Sequence, residues 1–342
     1  MSGGVDSAVT AGLLLREGFE VYGVTLRLWR EASLPPTDMF ESAAGVARAL
    51  GIPFTIVDLQ ERFYHDVVEA FADAYARGRT PNPCITCNPT IKFAALIEEA
   101  DRIGAEWIAT GHYARIARDN ERARLIRARC AARDQSYVLY RLNQSVLRRL
   151  KMPLGDYEDK AQIRELARTW DLPAMSRSDS QDLCFLSGGN YRTLLESIRP
   201  EALQPGPIYD ENGRKLGEHR GLPFYTVGQR EGLGIATGER LYVLRLDPEQ
   251  NAVIVGSAEQ LTRPECRLDS VVFTAGKPPA EHFTAGVQIR YRAAPVPAEI
   301  KLESETEARV VFAAPQRGVT PGQSLVFYEG EEALGGGFIQ TG

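Results

Sequence analysis

Two hydrophobic rhythms alternate along the first 200 or so residues. Apolar runs at Val21–Leu28, Phe54–Leu59 and Trp107–Thr110 read as short buried strands. Between them, apolar residues recur three and four positions apart: Phe40, Ala43, Ala44, Ala47 and Leu50; Phe63, Val67, Ala70, Phe71 and Ala74; Phe93, Leu96, Ile97 and Ala100. Each set is one face of a helix. Strand alternating with helix predicts an α/β domain, a parallel sheet covered on both faces. The stripes themselves are core and carry no chemistry.

Helical spacing stops after Pro205-Gly206. The candidate strands are Tyr242–Leu246, Ala252–Val255, Val287–Arg292, Arg309–Phe312 and Leu325–Tyr328, with turn residues at Asp210–Gly213, Asp247–Asn251 and Lys277–Pro279. That pattern predicts small all-β modules, and a break near Leu261–Pro264 divides two of them. The expected organisation is 1–204, 205–262 and 263–342, in line with two or three domains for 342 residues.

Composition narrows the class. A chain 44% hydrophobic and 25% charged is an ordinary globular protein, neither disordered nor collagenous. No apolar window is long enough for a membrane helix. The N-terminus lacks a basic region followed by an apolar stretch, so a cytoplasmic location is expected. Five cysteines (Cys84, Cys87, Cys130, Cys184 and Cys266) do not make a disulfide scaffold in a chain of this size. The net charge of -5 is unevenly spread. Arg115 to Lys151 holds ten Arg and one Lys against Asp119, Glu121 and Asp134. A basic segment on an acidic chain is what a localised polyanion site looks like. Solvated arginines on helix and hairpin surfaces explain it equally, and charge alone favours them.

The chain opens with Ser2-Gly3-Gly4-Val5-Asp6-Ser7 and runs directly into a helical stretch, Ala8 to Glu17. Glycines let backbone approach an anion closely. The start of a helix points unpaired N–H groups and a positive dipole end at it. Ser2 and Ser7 add hydroxyls, and Asp6 beside phosphate calls for a Mg²⁺ ion between them. No Walker sequence occurs. A strand should lead into such a loop, yet only Met1 precedes Ser2. Met1 therefore reads as an internal methionine, with the natural start upstream. The chain as given is expected to be poorly stable, because a buried strand position is empty.

Thr80-Pro81-Asn82-Pro83-Cys84-Ile85-Thr86-Cys87-Asn88-Pro89 holds a C-x-x-C between two proline turns. Asn88 as N-cap and Pro89 as first helical residue would put Cys87 at a helix N-terminus, where the field lowers a thiol pKa. A further cysteine follows in Asp179-Ser180-Gln181-Asp182-Leu183-Cys184-Phe185. A zinc ribbon needs more ligands, and a thioredoxin-like motif belongs in another setting. A persulfide relay between two cysteines and an iron–sulfur cluster with one open iron both suit the chemistry. Burial as small hydrophobes fits Cys130 and Cys266 and fits Cys84 and Cys87 poorly.

The opening hexapeptide resembles the loop of the PP-loop ATP pyrophosphatases. With it, in order, come TPNPCxxCN, Ala109–Arg115 (ATGHYAR), Arg133–Tyr137 (RDQSY), Asp179–Leu186 (DSQDLCFL), Tyr225–Ile235 (YTVGQREGLGI), Arg290–Arg292 (RYR) and Val319–Gln323 (VTPGQ). Over the whole chain the set resembles the tRNA-specific 2-thiouridylase family, MnmA in bacteria and TrmU in mitochondria. The resemblance implies a PP-loop domain, a small central β domain and a C-terminal β-barrel. It implies ATP-dependent adenylation of the wobble uridine O2 in tRNAs for Lys, Glu and Gln. Sulfur then comes from a cysteine persulfide, giving 2-thiouridine, AMP and pyrophosphate. ATP with Mg²⁺, and a sulfur donor (a cysteine desulfurase or sulfur-relay protein), are implied with it.

By the same resemblance Cys184 carries the persulfide and Cys87 pairs with it, leaving a Cys87–Cys184 disulfide after transfer. Asn82, Pro83 and Cys84 form the target-base loop. Ser2, Gly3, Gly4, Val5, Asp6 and Ser7, with Leu26 and Gly111, form the ATP site. His112, Arg133, Asp134, Gln135, Arg290, Tyr291 and Gln323 contact tRNA, and the Arg115–Lys151 segment meets its backbone phosphates. The wobble base leaves its stack to react. The sequence departs from the family at two of these positions. Cys84 stands where some members carry Asp, and Arg133 where Lys is commoner. Cys84, Cys87 and Cys184 together offer the thiolates for a [4Fe–4S] cluster, an alternative ranked below the relay.

Overall fold

The structure, a computed structural model, describes residues 1–29, 38–173, 183–186, 190–235, 238 and 240–341, with no side-chain description at 38 and 39. Asp179-Ser180-Gln181-Asp182 lies outside the described residues.

The alternation in the first half folds as helices around short parallel strands. Helix α1 (Val5–Arg16), strand β1 (Gly23–Arg27), helix α2 (Asp38–Leu50) and strand β2 (Phe54–Asp58) follow the opening loop. β1 and β2 are parallel, with Gly23 opposite Phe54. The next stripe is one helical run, α3 (Gln60–Phe63), a π-helical segment Tyr64–Glu69, and α4 (Ala70–Ala76). A second run comprises α5 (Pro83–Cys87), the π-helical segment Asn88–Lys92 and α6 (Phe93–Ile103). Strand β3 (Ile108–Ala109) later pairs in parallel with β6 (Leu150–Lys151).

In this first part the parallel strands are thus two separate pairs among the described residues. Met1 lies along β1, its amino group donating to the Val24 carbonyl and its carbonyl accepting from Thr25 Oγ1 at 2.5 Å. Burial holds that α-amino group down at about 6.

Between β3 and β6 comes an antiparallel hairpin that no alternation in the sequence announced: β4 (Ala114–Arg118) and β5 (Ala123–Arg127). Helices α7 (Gln144–Leu147), α8 (Lys160–Thr169) and α9 (Tyr191–Ile198) complete the first part. The central module is a four-stranded sheet ordered β8-β7-β10-β9, from β7 (Gly206–Asp210), β8 (Lys215–His219), β9 (Tyr242–Asp247) and β10 (Ala252–Gly256). The C-terminal module has β11 (Thr262–Phe273), β12 (His282–Gln288), β13 (Val296–Leu302), β14 (Ala308–Arg317), β15 (Ser324–Glu329) and β16 (Glu332–Ile339). These six close into a barrel through β11–β16 pairing. The strand expected over Val287–Arg292 ends instead at Gln288. Arg290–Arg292 is a turn, closed by the Ala293 N–H to the Arg290 carbonyl at 3.1 Å, with Arg292 at φ 65°.

The β4–β5 hairpin is attached to the barrel sheet, Ile126 opposite Glu332 of β16. One core therefore runs through both parts, joining Leu125, Tyr137 and Tyr140 to Val326, Tyr328 and Ala333. This seam explains the basic segment. Arg115 pairs with Glu331, Arg122 and Arg124 with Glu332, Arg127 with Asp134, Arg129 with Asp156 and Arg149 with Asp101. Arg118, Arg141 and Arg148 donate to backbone carbonyls, and Lys151 sits over the rings of Trp107 and Phe19. Partners distant in sequence supply part of the opposite charge, so the excess of arginine along the chain overstates the free positive surface.

Candidate active site

The opening glycines form an anion cradle. Gly3 takes φ 75°, a conformation glycine adopts without strain, and its carbonyl accepts from Ser42 Oγ at 3.1 Å. Gly4 is the N-cap of α1 and no side chain caps it, so the first-turn N–H groups are available. Ser2 and Ser7 brace the turn: Ser2 N–H donates to Ser7 Oγ at 3.1 Å, and Ser7 Oγ donates to the Gly4 carbonyl at 3.1 Å. Gly111 presses on this loop from the turn after β3. A Cβ there would lie 2.9 Å from the Asp6 carbonyl carbon and 3.0 Å from the Ser7 nitrogen. Val5 begins the helix and Leu26 lies on neighbouring β1, opposite Val57.

Asp6 already has two protein partners. Its carboxylate accepts from Tyr113 Oη at 2.8 Å and from Lys160 Nζ at 3.0 Å. Lys160 therefore offsets part of the charge that Asp6 places beside the phosphate position. Asp6 is the loop's own carboxylate that would hold Mg²⁺ when ATP is bound, and the ion would supply charge compensation for the phosphates.

Cys84 and Cys87 share α5, and Cys184 adjoins Phe185, which packs in the same apolar cluster as Cys87. Asn82 caps α5, accepting from the Cys84 N–H at 3.2 Å, and Pro83 occupies the first helical position. The cap expected at Asn88 is thus six residues too late, and Cys87 is not at a helix N-terminus. Pro89 instead falls inside the helical run, where its missing N–H is accommodated by the π-helical segment, the Phe93 N–H reaching the Asn88 carbonyl. Cys87 is buried, and burial pushes its thiol up to about 12. The Cys184 and Cys84 sulfurs add to this, and the Lys92 ammonium opposes it. The expectation of a lowered Cys87 pKa is corrected for that reason. Cys184 is exposed, and crowding by neighbouring atoms raises its thiol, opposed by Lys92; water at an exposed residue moderates that rise. Phe185 anchors it, 5.8 Å from Phe63, 5.3 Å from Phe71 and 6.3 Å from Trp29 between ring centroids. All five cysteines are free thiols. Among the described residues, no group of three or more His, Cys, Asp or Glu is arranged to hold a metal ion. Cys84, Cys87 and Cys184 as placed do not fit an iron–sulfur cluster.

Lys92 is the residue sequence reasoning missed. Burial works against its charge, yet the sulfurs of Cys87, Cys84 and Cys184 outweigh that and hold the ammonium above its ordinary value. The same charge acts on His112, whose imidazole is pushed down to about 3, first by burial and then by Lys92. His112 faces Thr110 Oγ1 at 3.0 Å and Phe93 at 5.7 Å between rings. Lys92 therefore links the thiols to the Gly111–His112 turn that contacts the phosphate loop. Its five-residue spacing from Cys87 would have flagged it only if the π-helical segment were known. Lys160 had no such signal, because Asp6 is 154 residues away.

The expected tRNA contacts divide. Arg290 is exposed and Tyr291 half-buried, 6.0 Å from Tyr137 between rings. Arg133 is half-buried at the end of a short 3-10 turn. Asp134 is buried and its carboxylate accepts from Arg127, the Ala128 N–H, the Ser136 N–H and Ser136 Oγ. It is a structural hub with no oxygen left for RNA, and that expectation is corrected. Gln135 Oε1 accepts from the Tyr113 N–H at 2.8 Å, and Gln323 Nε2 donates to the Thr80 carbonyl at 2.6 Å. Both brace backbone.

A glycine-lined anion loop on an α/β domain, with a cysteine pair on the following helical run and two β modules, defines a PP-loop enzyme with β appendages. Family models agree across the chain: tRNA methyl transferase HUP domain over residues 1–188, tRNA methyl transferase PRC-barrel domain over 192–257 and aminomethyltransferase beta-barrel domain over 263–339. Curated relatives named tRNA-specific 2-thiouridylase MnmA include one from Chloroflexus aggregans, 47% identical over 99% of this chain and 96% of its own length. Another from Moorella thermoacetica is 44% identical over 100% of this chain and 98% of its own. The chain belongs to the tRNA-specific 2-thiouridylase MnmA family of the PP-loop superfamily.

Proposed function

We propose that this protein is a tRNA-uridine 2-sulfurtransferase, built as 1–204, 205–262 and 263–342. ATP, with Mg²⁺, binds at Ser2–Ser7, Leu26 and Gly111. The uridine O2 attacks the α-phosphate and pyrophosphate leaves, which turns a poor leaving group into AMP. A donor protein has meanwhile loaded Cys184 with a persulfide. The terminal sulfur, as its anion, attacks C2 and AMP departs with the C2–O bond electrons. Cys87 thiolate then attacks Cys184 Sγ, so the S–S bond to the transferred sulfur breaks and 2-thiouridine is released. A Cys87–Cys184 disulfide remains, and an external dithiol reduces it before the next cycle. Lys92 stabilises the anionic sulfurs at both attacks.

The observation that carries this reading is the packing of Cys87 and of Phe185, next to Cys184, in one apolar cluster of a chain that belongs to this family. Asn82, Pro83 and Cys84 receive the target base on the adjoining turn. Arg133, Arg290 and Tyr291 contact tRNA. The substrates are the tRNAs for Lys, Glu and Gln, and the donor is a cysteine desulfurase or relay protein in the cytoplasm. Among the described residues no helix is long and apolar enough to cross a membrane.

The test is mass spectrometry of tRNA from a deletion strain carrying this gene. Sulfur-for-oxygen exchange at the wobble uridine is expected, lost in Cys184→Ala while pyrophosphate release persists. A methyl mass instead, or full thiolation by Cys184→Ala, overturns the reading. The cluster alternative is checked on anaerobically purified protein, where bound iron required for activity would replace the relay.

A further inference from the structure

Thr80, two residues before Asn82, is held by both β modules at once. Its N–H donates to the Pro321 carbonyl at 2.9 Å, and its carbonyl accepts from Gln323 Nε2 at 2.6 Å. Its hydroxyl lies 3.4 Å from Thr226 Oγ1 of the central module. Gly322 makes the approach possible. It has φ 87°, and a Cβ there would come within 2.9 Å of Arg79 Cβ and of the Thr80 nitrogen. Gly78 lies against the central module, where a Cβ would sit 3.1 Å from Leu246 Cβ and 3.3 Å from Pro248 Cγ.

Gln323 is itself fixed in the barrel. Its N–H donates to the Thr320 carbonyl at 3.1 Å and its carbonyl accepts from the Ile339 N–H at 2.8 Å. Pro81 and Pro83 follow Thr80 at alternate positions and hold φ near one value, so slack at Thr80 is not absorbed before the cap at Asn82. We propose that Gln323 is a positioning residue for sulfur transfer: from the barrel it fixes the Thr80 carbonyl, and with Thr226 it sets where the Asn82–Cys87 turn stands relative to the β modules. The modules thereby do more than add RNA-binding surface, because the thiol-bearing turn is held in register with whatever lies across them. The proposal rests on the sulfur-transfer role of Cys87 and Cys184.

Gln323→Leu keeps side-chain bulk and removes the donor. Two readouts on the full chain test it: the alkylation rate of Cys87 by iodoacetamide without RNA, and single-turnover thiolation at saturating tRNA. Cys87 alkylation is expected to rise about tenfold and thiolation to fall about tenfold, with tRNA affinity kept within about twofold. Thr226→Val shifts both the same way by less, and serves if Gln323→Leu does not fold.

Unchanged Cys87 alkylation with weakened tRNA binding would make Gln323 an RNA contact and end the proposal. Faster alkylation with full thiolation would end it also, as would losses that only track a lowered Tm. Normal thiolation by Cys184→Ala would instead refute the sulfur-transfer reading, leaving the alkylation result standing on its own.

Discussion

Lys92 stands one π-helical segment beyond Cys87, and its ammonium opposes the rise that burial imposes on the Cys87 thiol. A resolving thiol at about 12 is almost wholly protonated at neutral pH. Alkylation of Cys87 should therefore climb about tenfold per pH unit through the alkaline range, with no plateau below about 12. Lys92→Met removes the opposing cation, so the thiol pKa rises further and the rate at any fixed pH falls by about tenfold or more, while Lys92→Arg retains most of it. An unchanged pH profile in Lys92→Met would contradict the coupling.

His112 carries a sign that can be checked by unfolding. Its folded pKa of about 3 lies below the ordinary 6.5. As pH falls through 6.5 the unfolded chain gains a proton that the folded chain refuses, so stability drops on acidification. By about pH 5 this amounts to about 2 kcal/mol, and His112→Asn should remove it. Denaturant melts at neutral and mildly acidic pH measure the difference.

Asp134→Ala strands Arg127 and two backbone N–H groups inside the seam. A loss of about 3 to 5 kcal/mol is expected, visible as a lower Tm. A tRNA contact would instead weaken binding and leave Tm alone.

Gly111→Ala drives a Cβ into the peptide between Asp6 and Ser7. ATP binding should weaken by about tenfold or more while tRNA binding holds, because only the cradle is displaced. Isothermal titration with each ligand separates the two.

Salt dependence distinguishes free cations from paired ones. Arg290 is exposed, so Arg290→Ala should cut the slope of log affinity against log salt by about one. Arg122→Ala should leave the slope nearly unchanged and cost stability through Glu332.

Local pattern was enough for the helix stripes, the short strands between them, the switch to β modules and the turn of the opening glycines into a helix. Periodicity, glycine placement and turn residues all act over a few neighbouring positions. The same locality limits it. Asn82-Pro83 and Asn88-Pro89 are equally good helix starts when read alone, and only packing selects the first and turns the second into a π-helical segment. The Arg115–Lys151 charge excess looks larger in the sequence than in the fold, where Glu331, Glu332 and Asp101 arrive from elsewhere in the chain to pair with part of it. Lys160 beside Asp6, Lys92 among the sulfurs and Gln323 on Thr80 belong to the fold alone. Electrostatic and hydrogen-bond partners are chosen by distance in space, which the order of residues records only where the chain happens to be local.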